Sequence, residues 1–251
     1  MTSKHIWHKM DNFREEELYT PVKSFFEKQG YVVRGEVKRC DIALVKGDEL
    51  AVVELKKSFN MSLLYQAIDR QKMANAVYIA IPRKAFMARR GHILHILEKM
   101  GIGLLTVAMD SDMRLVEAHL LPNMAHGRNN KRTKALLAEF NGRTFDGNLG
   151  GGARQKLLTA HRERSLQIAC VLEKIGQAGP AELINTYSCH KNTTHMLPRN
   201  YYGWFTKIDK GAYALSEIGK AALADPQYAE VMAYYRKAVE ECCITAEKQE
   251  L

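Results

Sequence analysis

The chain has 251 residues, enough for one large domain or two small ones with apolar cores, and it carries 37 Lys and Arg against 28 Asp and Glu. The resulting charge of +9 favours a polyanionic partner. Five cysteines, at 40, 170, 189, 242 and 243, support neither a disulfide framework nor a zinc knuckle, because the number is odd and no C-x-x-C spacing occurs. No run approaches transmembrane length and MTSKHIWHKMDNFREE has no apolar signal core, so the expected setting is the cytoplasm, off the membrane.

In chain order, EEELYTPVKSFFEKQ (15–29) spaces Leu18, Val22, Phe25 and Phe26 as a helix, with Gly30 as its stop. A strand is predicted over Tyr31–Val37. Two further β-like runs, Asp41–Lys46 and Glu49–Lys57, flank Gly47-Asp48, a dipeptide suited to a tight hairpin. Ser62–Ala74 reads as a helix with Leu63, Leu64, Ala67 and Ile68 on one side, and Ala76–Pro82 as a strand buried on both faces. A helix around Phe86–Lys99 and strands at Gly103–Met109 and Leu115–Leu121 complete an α/β sandwich, a mixed sheet covered by helices on both sides.

Residues 126–164 hold nine Lys/Arg and three acids around Gly150-Gly151-Gly152, and read as a basic, partly helical connector between a domain at 1–125 and another at 165–251. It is either a solvated linker or a phosphate-contacting saddle. Helices are then predicted over Arg154–Ile175, Ala181–Tyr187 and Lys191–Leu197. A hairpin of Trp204–Ile208 and Ala212–Leu215 turns at Asp209-Lys210-Gly211, and helices at Glu217–Ala224 and Tyr228–Cys243 follow. Three helices and a two-stranded wing predict an α-rich, winged-helix-like domain. Such a domain binds DNA through polar residues of its third helix and cations of its wing. Lys191, Asn192, Thr194 and Arg199 meet the first requirement, Lys207 and Lys210 the second. Winged helices also bind proteins. Trp204 and Phe205 are expected under the wing as core.

The chemistry concentrates in CDIALVKGDELAVVELKKS. Folding the hairpin at Gly47-Asp48 brings Glu54 back near Asp41, and strand alternation places Glu54 and Lys56 on one face. Two carboxylates beside an ammonium at the end of a half-buried hairpin are costly unless a divalent cation offsets them. An ordinary Glu54–Lys56 salt bridge is the competing explanation.

Asp41, twelve intervening residues and then Glu54-Leu55-Lys56, after an acidic helix and a strand, resemble the PD-(D/E)XK nuclease core, with Cys40 where the family name has proline. LYTPVKSFFEKQGYVVRGEV, VVELKKSFN, LLYQAIDRQ, AVYIAIPR, NLGGGARQKLLTAHRE and NYYGWF extend this over most of residues 15–220. They resemble a bacterial family of PD-(D/E)XK-type phosphodiesterases without an established substrate. The resemblance implies a restriction-endonuclease-like fold and a nuclease using Mg²⁺ or Mn²⁺, with DNA as the expected partner and a homodimer as one way to pair two active sites. Asp41 and Glu54 would be the metal-binding carboxylates, with the Leu55 backbone carbonyl as a further ligand. Lys56 would position the attacking water and offset charge at the phosphate.

Relatives often add an acid from the first helix. Glu15 shares the face of Leu18, Tyr19 and Val22 and is the first choice, with Glu17 second. Gln66, on the helix after the E-x-K strand, is where relatives place a glutamine on the metal-bound water or the nucleic-acid backbone. The alternative function is a non-catalytic DNA-binding or regulatory protein that keeps the nuclease-like scaffold.

Overall fold

The computed structural model describes residues 13–111, 113–123, 130–146, 148, 157–209 and 211–249, and the chain divides between Leu158 and Thr159 into two units. In the first unit, β1 (Val32–Val37), β2 (Cys40–Lys46), β3 (Glu49–Leu55), β4 (Ala76–Pro82), β5 (Gly103–Val107) and β6 (Val116–Leu120) form one sheet in that spatial order. The β1–β2–β3 pairs are antiparallel, β3–β4–β5 are parallel, and β6 returns antiparallel to β5. The apolar run of β4 and the fully buried β5 therefore occupy the sheet interior, where both faces are covered.

On one face, a 3-10 turn at Glu15–Leu18 and helix α1 (Tyr19–Glu27) pack Leu18, Val22 and Phe26 against Ile42, Leu44, Val53 and Leu55. On the other lie α2 (Met61–Gln71), α3 (Arg83–Met87), α4 (Arg90–Met100) and α5 (Asn130–Asn141), whose Leu63, Ala67, Phe86, Ile93, Leu136 and Phe140 meet Ala43, Val52, Ile79 and Ile81. This is the α/β sandwich with a central mixed sheet that the sequence predicts. Along β3, Ala51, Val53 and Leu55 face α1 while Leu50 and Val52 face α2. Alternation therefore turns Glu54 toward α2.

Local chemistry moves several boundaries. The helix predicted from Glu15 begins as a 3-10 turn, because Pro21 has no N–H to give to the Glu17 carbonyl. Arg114 Nη1 donates to that carbonyl instead, at 3.1 Å. The segment predicted as one helix over Phe86–Lys99 is two, α3 and α4. The β2–β3 hairpin turns at Gly47-Asp48 as predicted, with Lys46 opposite Glu49 and Gly47 at φ +57°, the left-handed first position of a type II′ turn. The β1–β2 turn carries no such signal. Val37 pairs with Cys40 across Lys38 and Arg39, which stand at φ 50° and 70°. Side chains there cost about 1–2 kcal/mol each, so tertiary contacts must hold this turn, which directly precedes Asp41.

The basic connector is corrected in its first half. Leu136 and Phe140 of α5 lie in the core. Arg143, 2 % exposed, donates to the carbonyls of Gly35 and Leu158, each at 3.1 Å. Asp146 accepts from the Tyr19 hydroxyl at 2.7 Å and the Gly35 N–H at 2.9 Å, and pairs with Lys23. Charges expected either in solvent or on phosphates are spent on buried backbone carbonyls and a structural ion pair. The boundary between the two units falls at 158/159, inside the stretch 126–164 expected as a connector. The glycine triplet lies outside the described residues.

The second unit comprises α6 (Ala160–Ile175), β7 (Gln177–Ala178), α7 (Pro180–Asn185), α8 (Thr193–Arg199), β8 (Phe205–Asp209), β9 (Ala212–Leu215), α9 (Glu217–Ala222) and α10 (Ala229–Gln249). Its sheet runs β7–β9–β8, antiparallel throughout. The two-residue β7 makes the predicted two-stranded wing three-stranded; it is too short to leave a period in sequence. Thr159 and Ser216 cap α6 and α9 by accepting the N–H groups of Arg162 and Gly219. Trp204 and Phe205 are buried, each 6 % exposed. No helix among the described residues is long and apolar enough to cross a membrane.

Candidate active site

The register carries Asp41, at the start of β2, to the end of β3. Its Oδ2 accepts the Leu55 N–H at 2.8 Å. Glu54 is fully buried beside it. Its Oε1 receives Arg70 Nε of α2 at 2.6 Å, while Oε2 is buried without a hydrogen-bond partner. Arg70 also donates through Nη2 to the Arg39 carbonyl at 2.5 Å. One guanidinium thus clamps the strained β1–β2 turn and the second carboxylate together.

Lys56 takes a different direction from the one predicted. The strand ends at Leu55, two residues short of Lys57, although the Lys56 N–H still bonds the Ala80 carbonyl of β4 at 3.1 Å. The Lys56 ammonium lies 2.5 Å from Glu15 Oε1. The competing explanation, a Glu54–Lys56 salt bridge, gives way to two separate pairs, Glu54–Arg70 and Lys56–Glu15. Of the two acids considered for the first helix, Glu15 meets the lysine. Glu17 is held by Arg114 at 2.7 Å and by the Arg14 N–H, at 2.7 Å from its other oxygen.

Gln66 stands one helical turn before Arg70, on the same face of α2, and its buried side-chain oxygen has no hydrogen-bond partner. Arg70 is a site residue that the sequence does not announce. Its one signal is the i, i+4 spacing from Gln66, and a lone arginine on a helix ordinarily reads as solvent-facing.

Burial and the nearby Asp41 charge push the Glu54 carboxyl up to about 8, against the opposing pull of Arg70. Burial also raises Asp41, outweighing the Leu55 N–H and Lys56. At Lys56, burial works against the charge, but the Glu15 hydrogen bond and the surrounding acids raise it overall. Lys56 is thus a standing cation suited to stabilising negative charge. The acid pair holds excess protons and is short of positive charge.

The raised Glu54 gives a pH dependence with a definite sign. The folded state binds the proton more tightly than the unfolded one, so this contribution to stability is complete below about 4.5 and lost as pH rises through about 8. Wild-type Tm should therefore fall relative to Glu54→Gln between pH 5 and pH 9. A constant difference between the two melting curves across that range would contradict the assignment.

The donor set bears on a divalent cation in two ways. Among the described residues no group of three or more His, Cys, Asp or Glu gathers to hold a metal. Magnesium, however, commonly takes only one or two carboxylates plus waters. The orphaned, buried Glu54 Oε2 facing a second carboxylate fits such a two-carboxylate site.

In the second unit, Lys191 and Asn192 are exposed just before α8, Thr194 and Arg199 are exposed on it, and Lys207 is exposed on β8. Lys210 lies outside the described residues. Asn192 and Arg199 line a cleft of about 230 Å³ with His161, Arg164, His195 and Met196. Lys191, Thr194 and Lys207 do not line it. No sequence signal marks His161 and Arg164 as part of this surface, because α6 brings them to the cleft from about thirty residues upstream. Two arginines, two histidines and no acid make it an anion-attracting surface.

Comparison with known proteins gives a family match to part of the chain. Residues 105–222 match the family described as "Putative PD-(D/E)XK phosphodiesterase (DUF2161)". The matched segment runs from within β5 to the end of α9, so Asp41, Glu54 and Lys56 lie before it. A solved structure described as "SPO1766 protein of unknown function from Silicibacter pomeroyi" is similar at 16 % identity over 52 % of this chain and 86 % of that one, with a TM-score of 0.37. No curated protein matches the chain.

Proposed function

With the match to a PD-(D/E)XK phosphodiesterase family as premise, we propose that the protein is a metal-dependent nuclease acting on DNA, whose second unit is a DNA-binding winged helix. The observation that carries this reading is the buried Asp41–Glu54 pair, which leaves Glu54 Oε2 without a partner one residue from the Leu55 N–H that Asp41 holds. Native proteins rarely leave a buried carboxylate oxygen unpaired without a use for it.

Asp41 and Glu54 would hold Mg²⁺ or Mn²⁺, with the Leu55 carbonyl as the third protein ligand. A bound cation supplies Lewis-acid charge at the phosphate and a water of lowered pKa. Lys56 presents its ammonium to the attacked phosphate and offsets the negative charge that grows there. Glu15 orients that ammonium, and Arg70 fixes the Glu54 carboxylate in one direction. Gln66, with its free oxygen on the same helix face as Arg70, is suited to hydrogen-bond the attacking water.

The order α6, β7, α7, α8, β8, β9 supports the winged-helix reading, with α8 as the third helix and β8–β9 as the wing. Lys191, Asn192, Thr194, Arg199, Lys207 and Lys210 are its proposed DNA contacts. A tethered binding unit raises the local concentration of DNA at the nuclease site.

One observation favours a second reading, a non-catalytic DNA-binding protein on the same scaffold: Arg70 already occupies Glu54 Oε1, supplying a positive charge where a metal would. One assay separates the two. Purified protein is incubated with linear, nicked, branched and single-stranded DNA, with Mg²⁺, with Mn²⁺ or with EDTA. Cleavage that appears only with the cation is expected. Salt-sensitive binding without cleavage of any substrate would overturn the nuclease reading.

A further inference from the structure

The C-terminal ends of the three parallel strands open into a cavity that the proposed catalytic groups do not fill. It measures about 660 Å³ and is lined by Lys57 after β3, by Arg83, Lys84 and Met87 after β4, and by Met109 after β5, with Phe13 on one side. Open α/β sheets bind ligands at this end of their strands, and the volume lies within the roughly 300–1,000 Å³ typical of small-ligand sites. The cavity adjoins the E-x-K strand directly. Lys57 follows Lys56 in the chain, and Pro82 lies two residues beyond Ala80, whose carbonyl bonds the Lys56 N–H.

The lining is specific in kind. Phe13 presents a ring with the Lys57 ammonium 5.4 Å from its centroid. Met87, 58 % exposed, and Met109 add polarizable apolar surface, a poor choice for open solvent. Three cations, Lys57, Arg83 and Lys84, stand against the single acid Asp110. Arg83 is only loosely engaged, 3.5 Å from Glu117 in an exposed pair. An aromatic face and thioethers for a flat apolar ring, bordered by cations for a phosphate, match one ligand chemistry: an unpaired nucleotide. A base held in a duplex could not enter, since its faces are covered by its stacked neighbours.

We propose that this cavity binds one unpaired nucleotide of the substrate strand, next to the phosphate at the Asp41–Glu54–Lys56 site, and so directs the protein to single-stranded, frayed or flapped DNA. The identity of the ligand rests on the nuclease reading. The test nevertheless reads contact, not turnover.

The probe is a single-stranded 12-mer carrying 5-iodouracil, photo-crosslinked without metal to full-length Glu54→Gln, and the crosslinked peptides are mapped by mass spectrometry. A crosslink at Phe13 or Met109 is expected, reduced about tenfold when the same sequence is supplied as a blunt duplex, a loss in keeping with one base–aromatic stack. Adding Met87→Glu, an exposed change that puts an acid in the cavity, should reduce the Phe13 crosslink by a similar factor while crosslinks in the second unit persist. Crosslinks confined to the second unit, or equal from single strand and duplex, would overturn the proposal. Cavity crosslinks in a protein whose wild type cuts no DNA would leave the nucleotide pocket standing and remove the nuclease reading. Cleavage without cavity crosslinks would do the reverse.

Discussion

Replacing Glu54 or Lys56 by alanine is expected to reduce metal-dependent DNA cleavage at least about 100- to 1,000-fold, the effect of removing one preorganised charge from a phosphoryl or acyl transfer site. The two losses have different causes. Glu54→Ala removes the carboxylate whose unpartnered Oε2 is the proposed cation ligand. Lys56→Ala removes an ammonium that the surrounding acids keep protonated. DNA binding by the second unit should remain within about twofold in both, since its cations are untouched. Glu17→Ala is the control. Its carboxylate is committed to Arg114 and the Arg14 N–H, so cleavage should fall only a few-fold. Single-turnover rates at saturating DNA separate these outcomes. Equal residual rates in Glu54→Ala and Glu17→Ala would remove Glu54 from the site.

The second large effect is on stability. Arg70→Ala is expected to cost about 3–5 kcal/mol at pH 9, measured by urea denaturation, because it strands a buried carboxylate and leaves the Arg39 carbonyl without its donor. The loss should shrink as pH falls toward about 8 and level off below it, because removing the guanidinium raises Glu54 further and lets the variant keep a proton that the wild type has lost. Mn²⁺ added at pH 9 should restore part of the lost stability, since a cation on Glu54 replaces the missing charge. If Arg70→Ala unfolds within about 0.5 kcal/mol of wild type at pH 9, the clamp is not a stabilising element. Failure of Mn²⁺ to restore stability would favour the non-catalytic reading, in which Arg70 stands permanently in the metal's place.

Arg70 also explains why a strained turn persists beside the site. Lys38 and Arg39 adopt left-handed conformations without the glycine or asparagine that usually occupies them. The turn is held from outside, by a side chain thirty-one residues away that accounts for the Arg39 carbonyl. Strain of this kind clusters where a precise geometry is useful, and here it sets the direction in which Asp41 leaves the turn.

Local periodicity and turn chemistry are enough to make the sandwich legible in the sequence. The apolar run at Ala76–Pro82 suits a strand covered on both faces, and a turn at Gly47-Asp48 brings Glu54 back toward Asp41. The order of helices and hairpin in the second unit is readable for the same reason, since each element carries its own period or cap. These are properties of neighbours in sequence, with interaction ranges of a few residues.

What lies beyond that range is decided by packing. Alternation in a continued strand would put Glu54 and Lys56 on one face and make them each other's partners. The strand instead ends at Leu55, and each side chain finds an opposite charge on a different helical element, Arg70 on α2 and Glu15 in the 3-10 turn. Arg143 and α5 read from composition as part of a basic connector, either solvated or phosphate-contacting, yet they complete the core of the first unit. A charge in sequence has no partner until the chain folds. The residue types at Asp41, Glu54 and Lys56 were therefore determined by the sequence alone, while the tertiary structure decided which cation each acid meets and which oxygen it leaves open.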